Sequence, residues 1–198
     1  MSDTEDVRVA WGRTVHWLAV HAPASARALR GPATDEDLAG LRAALGFDVP
    51  DVLETLLRMN NGSTAKDTTR TLPSGRTAAA PHLDSAVLPP GRVLLGCAEM
   101  AEKRAKWQSF GETPEDYWRA CWIPVVHDFD GAYYGYVLDA SGGAAGFPVL
   151  EFFEAGDPEQ CAPSLGALLG SFADALELGR WGDWRAAVAD GVLRWRLD

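Results

Sequence analysis

The chain has 198 residues, of which 47% are hydrophobic, and its formal net charge is −10. This length and composition fit one folded domain and exclude a disordered protein, and no apolar run approaches the roughly 20 residues that would span a bilayer. The excess of acid argues against nucleic acid as a partner, because binding a phosphate backbone requires cations.

The N-terminus, MSDTEDVRVAWGR, is acidic and lacks the basic and apolar regions of a signal peptide. Cys97, Cys121 and Cys161 are odd in number and far apart, so we expect no disulfide framework. Both features predict a cytoplasmic protein.

Three helical patterns fill the first third of the chain. Apolar residues recur at helical spacing between Val7 and Leu18. Thr34 is a candidate N-cap for a second helix that ends at Gly46, and Pro50 fits the first turn of a third. The third pattern ends in Asn60-Asn61-Gly62. Because Asn and Gly tolerate positive φ, a helix end is favoured there over a catalytic amide pair or a ligand loop.

The middle of the chain changes from loop to strands. Residues 63–91 are polar and rich in Pro and Gly, which predicts a long loop or insertion with room for a short strand. RVLLG then predicts a strand, AEMAEKRAKWQSF a helix, and WIPVVHD, AYYGYVLD and FPVLEFFE three more strands. Asp130-Gly131 would turn the first two of these into a hairpin, with Tyr134 and Tyr136 on one face.

The end of the chain predicts a helix capped by Ser164 and ending near Gly179, followed by a tail, 180–198, that could add a short helix. Helices, then strands, then a helix is an α+β order. We therefore predict a single α+β domain with N-terminal helices, a mostly antiparallel sheet and a C-terminal packing helix.

The best candidate for a chemical site is HDFDG. His127, Asp128 and Asp130 could bind a divalent cation or share acid–base work, as in a hydrolase. The further oxygen ligands of a calcium loop are missing, however, and Asp-Gly between two strands is already explained as a turn. We therefore expect no catalytic residues, no metal and no cofactor. Most of the eight Trp residues fit core packing better than a stacking platform, although Trp181, Trp184 and Trp195 in the tail are less easily assigned to a core.

The order of these motifs resembles the SUKH superfamily, which includes the fungal Smi- and Knr-type cell-wall regulators. The resemblance covers most of residues 34–179 and is carried by two blocks, TDEDLAGLRAALGFDVPDVLETLLRMNNG and CWIPVVHDFDGAYYGYVLD. The positions that match the family pattern outside the leucine stripe are Val49, Pro50, Asn61, Gly62, Trp122, Pro124, Asp128, Gly131 and Asp139. On this basis residues 1–33 are a helical extension, 34–179 the SUKH-like domain with an insertion at 63–91, and 180–198 a tail.

The resemblance implies a fold without catalytic residues and, for bacterial members, an immunity protein that neutralises a toxin by stoichiometric binding. A general protein-interaction or small-ligand scaffold is the alternative. The stretch from Gln108 to Gly179 contains twelve acidic residues and a single basic one. This excess of acid favours a basic protein partner such as a nuclease domain. The preferred contacts are Asp128, Asp130, Glu154 and Asp157, and the second choices are Glu112, Glu115 and Asp116.

Overall fold

A computed structural model describes residues 2–63, 68–71, 73–80, 83–110, 118–128, 134–153 and 157–198. Six α-helices lie in this part of the chain: α1 (Asp3–His21), α2 (Pro23–Arg27), α3 (Asp35–Leu45), α4 (Asp51–Met59), α5 (Cys97–Gln108) and α6 (Leu165–Leu178). Ten strands accompany them: β1 (Thr68–Thr71), β2 (Thr77–Ala80), β3 (Arg92–Leu94), β4 (Trp122–Asp128), β5 (Gly135–Asp139), β6 (Val149–Phe152), β7 (Glu159–Ala162), β8 (Arg180–Trp181), β9 (Trp184–Ala189) and β10 (Val192–Leu197).

The centre of the fold is a five-stranded sheet in the order β3-β4-β5-β6-β7, with every neighbouring pair antiparallel. Pro124 lies inside β4, where a proline removes a ladder hydrogen bond. The sheet accommodates it with a shift of register between Pro124 and Val126, which is the setting in which a strand proline is tolerated. The predicted α+β class, with helices before the sheet and one after it, is confirmed.

One face of the sheet packs against the helices. Tyr136 contacts Phe172 of α6, with ring centroids 5.7 Å apart. Helix α1 lies against α6 and buries Val7, Trp11 and Leu18 in the same core. The guanidinium of Arg13 joins the two helices by ion pairs of 2.7 and 2.6 Å to Asp174 and Glu177. Residues 1–33 therefore supply part of the main core.

The opposite face carries a smaller aromatic core. Because strand side chains alternate between faces, Val137 and Phe152 point away from Tyr136. They pack with Trp107 at the end of α5 and with Trp118 and Trp122. The Trp107 and Trp118 rings lie 4.7 Å apart, and Trp118 meets Trp122 edge to face at 5.6 Å. Core packing thus accounts for these three tryptophans.

Two segments differ in detail from the prediction. The described part of 63–91 holds an antiparallel hairpin, β1 with β2, and Val87 and Leu88 after it are fully buried. The prediction of a short helix in the tail is wrong: residues 180–198 form a three-stranded antiparallel sheet in the order β10-β9-β8. Two tight turns build it, with positive φ at Gly182 in the first and at Asp190 and Gly191 in the second.

The Asn60-Asn61-Gly62 segment joins four parts of the fold. Helix α4 ends at Met59, and the Asn60 side chain donates to the carbonyl of Arg30. The Oδ1 atom of Asn61 accepts a hydrogen bond of 2.8 Å from the N–H of Cys97, in the first turn of α5. Gly62 has φ +81°, and a Cβ there would overlap the backbone of Leu95 and Gly96. The expected positive φ is confirmed at Gly62, but it lies beyond the cap residue itself, since Asn60 is extended.

Candidate partner-binding surface

Arg92, at the start of β3, organises the carboxylates at one end of the sheet. Its Nε lies 2.8 Å from Oδ1 of Asp128, and its Nη2 lies 2.7 Å from Oε1 of Glu151. The guanidinium also stacks on the Tyr136 ring, 4.4 Å from the centroid. Burial alone would lower the pKa of Arg92, but Tyr136, Glu151 and Asp128 outweigh it and hold the pKa above its ordinary value. The arginine therefore remains a fixed cation between two acids.

Two further carboxylates lie at the same end of the sheet. Strand β4 finishes at Asp128, β6 finishes just after Glu151, and β7 begins at Glu159, so antiparallel order places them together. Glu159 is the direct cross-strand neighbour of Glu151, and both Asp157 and Glu159 are exposed. We call Asp128, Glu151, Asp157 and Glu159 the acidic sheet end. Two of its four carboxylates, Asp128 and Glu151, pair with the guanidinium of Arg92. Glu159 lies directly opposite Glu151, and like charges opposed across strands repel. The described residues at this end of the sheet therefore carry excess negative charge.

Aromatic side chains border the acidic sheet end. Tyr134 precedes β5, is 37% exposed and meets Phe153 edge to face, with centroids 6.2 Å apart. Tyr134 and Tyr136 are two residues apart, and strand alternation gives them one face. Tyr136 is buried against Phe172 of α6, whereas Tyr134, just before β5, is exposed. Exposed aromatic side chains are enriched at protein-binding surfaces.

The remaining described acids of the 108–179 stretch are already engaged. Asp174 and Glu177 bind Arg13, which lies outside that stretch. The carboxylate of Asp139 accepts a hydrogen bond of 2.9 Å from the N–H of Ser141 and is 3.4 Å from Sγ of Cys121. Partial burial alone would raise the pKa of Asp139, but its hydrogen bonds hold the pKa below its ordinary value. The net charge counted along residues 108–179 therefore overstates the free negative charge of the folded protein. Arg13 and Arg92 lie outside this stretch in the sequence but pair with its acids in the fold.

The structure describes only part of the predicted contact set. Asp128 is paired with Arg92 and its side chain is 27% exposed, whereas Asp157 is exposed and has no ion pair with any described residue. Asp130, Glu154, Glu112, Glu115, Asp116 and Gly131 lie outside the described residues. Whether these side chains bind a partner stays a prediction.

His127 and Asp128 do not combine as a chemical site. The two residues are adjacent in β4, so their side chains leave opposite faces of the sheet. The His127 ring is buried on the aromatic side, stacked on Trp107 at 5.7 Å, and its Nδ1 lies 2.6 Å from the carbonyl oxygen of Asp128. Among the residues that the structure describes, no group of three or more His, Cys, Asp or Glu side chains is placed to hold a metal ion.

The other described positions of the family pattern support the fold. Val49 is buried, and Pro50 precedes the first turn of α4. Trp122 is buried opposite Asp139 in the β4–β5 ladder. Together with Pro124 at the register shift and the Asn61-Gly62 junction, these residues position the sheet. Sequence analysis did not identify Arg92, Glu151 and Glu159 as part of this surface. Arg92 could have been found, because an arginine at the start of a buried strand needs an acidic partner.

The fold is an α+β domain built on an antiparallel sheet. No described helix is both long and apolar enough to cross a bilayer. Within that architecture, the motif order identifies the family. Residues 32–171 match the SMI1 / KNR4 family (SUKH-1), and because the match covers well over half of the chain, the protein belongs to that family. No curated protein matches the chain. The match begins near the predicted start of the domain and ends within α6, and residues 172–198 lie beyond it.

Proposed function

We propose that this protein is a bacterial immunity protein that neutralises a toxin domain by stoichiometric binding, with the acidic sheet end as the contact surface. Membership of the SUKH-1 family supports a role in binding or regulation rather than catalysis. The observation that carries the choice of surface is the pairing of Asp128 and Glu151 with Arg92 at the end of the sheet where the exposed Asp157 and Glu159 also lie.

The surface suits a basic partner for a physical reason. Arg92 fixes Asp128 and Glu151 before any partner arrives, so less side-chain freedom is lost on binding. Asp157 and Glu159 remain solvated until docking, and Tyr134 offers an apolar contact beside them. Nucleases carry cationic surfaces to hold phosphate, and carboxylates can occupy such a surface. Asp130 and Glu154 remain part of the proposed contact set. The proposal needs no cofactor and places the protein in the cytoplasm, where it would meet an incoming toxin.

The first test is the gene neighbourhood, followed by a pull-down. An adjacent gene encoding a secreted protein with a toxic C-terminal domain should yield a product that this protein captures. A captured partner that is acidic would argue against the acidic sheet end. Capture of proteins unrelated to any toxin would favour a general interaction scaffold instead.

The second test is the salt dependence of the binding kinetics. Complementary charge acts mainly on the encounter of two proteins. Raising ionic strength from low salt to about 0.5 M should therefore slow association well before it speeds dissociation, because the Debye length falls from tens of ångströms to a few. Stopped-flow or surface-based kinetics measure both rates. An association rate that does not respond to salt would contradict electrostatic docking.

A further inference from the structure

The C-terminal sheet carries a row of three arginines across its three strands. Arg180 of β8 is the direct neighbour of Arg185 of β9, which is in turn the direct neighbour of Arg196 of β10. All three are exposed. The alternate residues Leu193 and Trp195 of β10 are buried. The sheet therefore turns one face to the core and presents the arginine row on the other.

This arrangement is unfavourable for the isolated protein. Adjacent strands lie about 4.8 Å apart, and like charges directly opposite each other destabilise a sheet. Local contacts cancel only part of the charge. Arg185 pairs with the C-terminal Asp198, and Arg180 donates a hydrogen bond of 3.1 Å to the carbonyl of Gly182. Arg196 has no ion pair with any residue that the structure describes.

A fourth arginine extends the basic surface along β10. Arg194 lies two residues before Arg196, so it shares the same face. Its Nη2 is 3.9 Å from Oδ1 of Asp84, a long contact, and its Nη1 is buried without a hydrogen-bond partner among the described residues. The basic face thus lies on a protein whose net charge is −10, and it falls beyond the part of the chain that matches the family.

We propose that the arginine row binds the acidic face of a helix in a protein partner. Residues three or four apart on a helix have Cβ atoms about 5–6 Å apart, close to the strand spacing of about 4.8 Å. Three carboxylates at successive i, i+4 positions can therefore meet three guanidinium groups in register, each through paired N–H···O bonds. An extended segment places same-side residues about 6.7 Å apart, so three of them span about 13 Å and match the row, about 10 Å wide, less closely than a helix does.

The charge of the whole molecule favours a protein helix over nucleic acid. A long polyanion would extend past the arginine row and be repelled by the net negative charge of the protein. Three carboxylates on one helix would contact only the arginine row. This inference does not depend on the proposed toxin partner, since the two surfaces have opposite sign.

The test uses the full chain and a labelled synthetic probe. The probe is an alanine-based helical peptide with three Glu residues spaced four apart, and its binding is followed by fluorescence anisotropy at low ionic strength. The variant Arg180→Gln/Arg185→Gln/Arg196→Gln should bind at least about tenfold more weakly, as expected when three exposed ion pairs are lost together. The matched control, Arg8→Gln/Arg27→Gln/Arg76→Gln, removes three exposed arginines elsewhere and should bind like the parent.

Two further probes decide the kind of ligand. A peptide of the same composition with its three Glu residues two apart should bind more weakly than the helical probe, and so should a single-stranded oligothymidine. Circular dichroism checks that each variant is folded, and Arg196→Gln alone should leave the melting temperature unchanged or raise it, because it relieves repulsion. Equal binding of the helical peptide to the triple variant, no binding at all, or tighter binding of the oligonucleotide would overturn the proposal.

Discussion

Substitution of Gly62 by alanine tests how the fold is joined at its centre. Gly62 has φ +81°, and an added Cβ would overlap the backbone nitrogen of Gly96 and the carbonyl carbon of Leu95. Backbone atoms cannot rotate away, so the two segments must separate. That movement would disturb the 2.9 Å bond from the Ser63 N–H to the Leu94 carbonyl and the 2.8 Å bond from the Cys97 N–H to Asn61.

The cost can be worked from these contacts. A left-handed conformation costs an alanine about 1–2 kcal/mol, and losing two hydrogen bonds adds about 2 kcal/mol. We therefore expect Gly62→Ala to lower the free energy of unfolding by about 3–4 kcal/mol. Gly46 is the matched control: its φ is +78°, but an added Cβ meets nothing within 4 Å. Gly46→Ala should cost only the conformational part, about 1–2 kcal/mol.

Urea unfolding followed by tryptophan fluorescence measures both values, since the chain has eight Trp residues. The difference between the two alanine variants isolates the effect of the close backbone approach. Equal losses for the two variants would refute the idea that Gly62 is required by its neighbours and would leave only its backbone angle as the reason.

Two further predictions concern charge. Arg92→Met should lower the free energy of unfolding by about 3 kcal/mol, the lower end of the range for breaking a buried pair, because Asp128 and Glu151 lose their cation while staying partly exposed. Arg13 is the control, because it also binds two carboxylates but its side chain is four times as exposed as that of Arg92. Arg13→Met should therefore lower the free energy of unfolding by about 1 kcal/mol or less. Similar losses for Arg92→Met and Arg13→Met in urea unfolding would contradict the role assigned to burial. Asp139 has a pKa below its ordinary value in the folded protein, so it adds stability above its unfolded pKa of about 3.9, and this is lost as the pH falls through the folded pKa. The difference in unfolding free energy between the parent and Asp139→Asn should therefore hold from about pH 7 to about pH 5 and shrink as the pH falls below about 3.9 and through the folded pKa. A difference that stays constant down to about pH 2 would rule out the linkage.

The helical part of the fold could be predicted because its signals are local. Thr34 forms the capping box with Asp37 that its position suggests, and Ser164 caps α6 as expected. Gly46 and Gly179 end their helices in left-handed conformation. In each case the deciding contacts lie within four residues along the chain.

The sequence of the tail contains a local hairpin signal. Asp190-Gly191 is a two-residue turn between apolar runs, which is a strong hairpin signal, and both residues have positive φ. The alternation of Val192, Arg194 and Arg196 with Leu193 and Trp195 has the period of a strand. The predicted short helix is wrong because the tail follows this period of two and not the helical period.

The acidic sheet end could be predicted only in part, because its pairings are long-range. Arg92 is 36 residues from Asp128 and 59 from Glu151, and Arg13 is more than 160 from its acidic partners. No window along the chain can show which charges cancel. Asp128 and Asp157 could be chosen from their positions at strand ends, whereas Glu159 depends on the register of β6 with β7.

The most direct measurement is isothermal titration of the protein with the toxin domain encoded beside its gene. The proposed function predicts one-to-one binding that blocks the toxin's activity. The variant Asp157→Lys/Glu159→Lys should bind measurably more weakly, whereas Asp48→Lys/Glu102→Lys, which reverses two exposed acids outside the acidic sheet end, should bind like the parent. Absence of binding to the adjacent gene product would contradict the immunity role, and tight binding that is unchanged in Asp157→Lys/Glu159→Lys would contradict the surface.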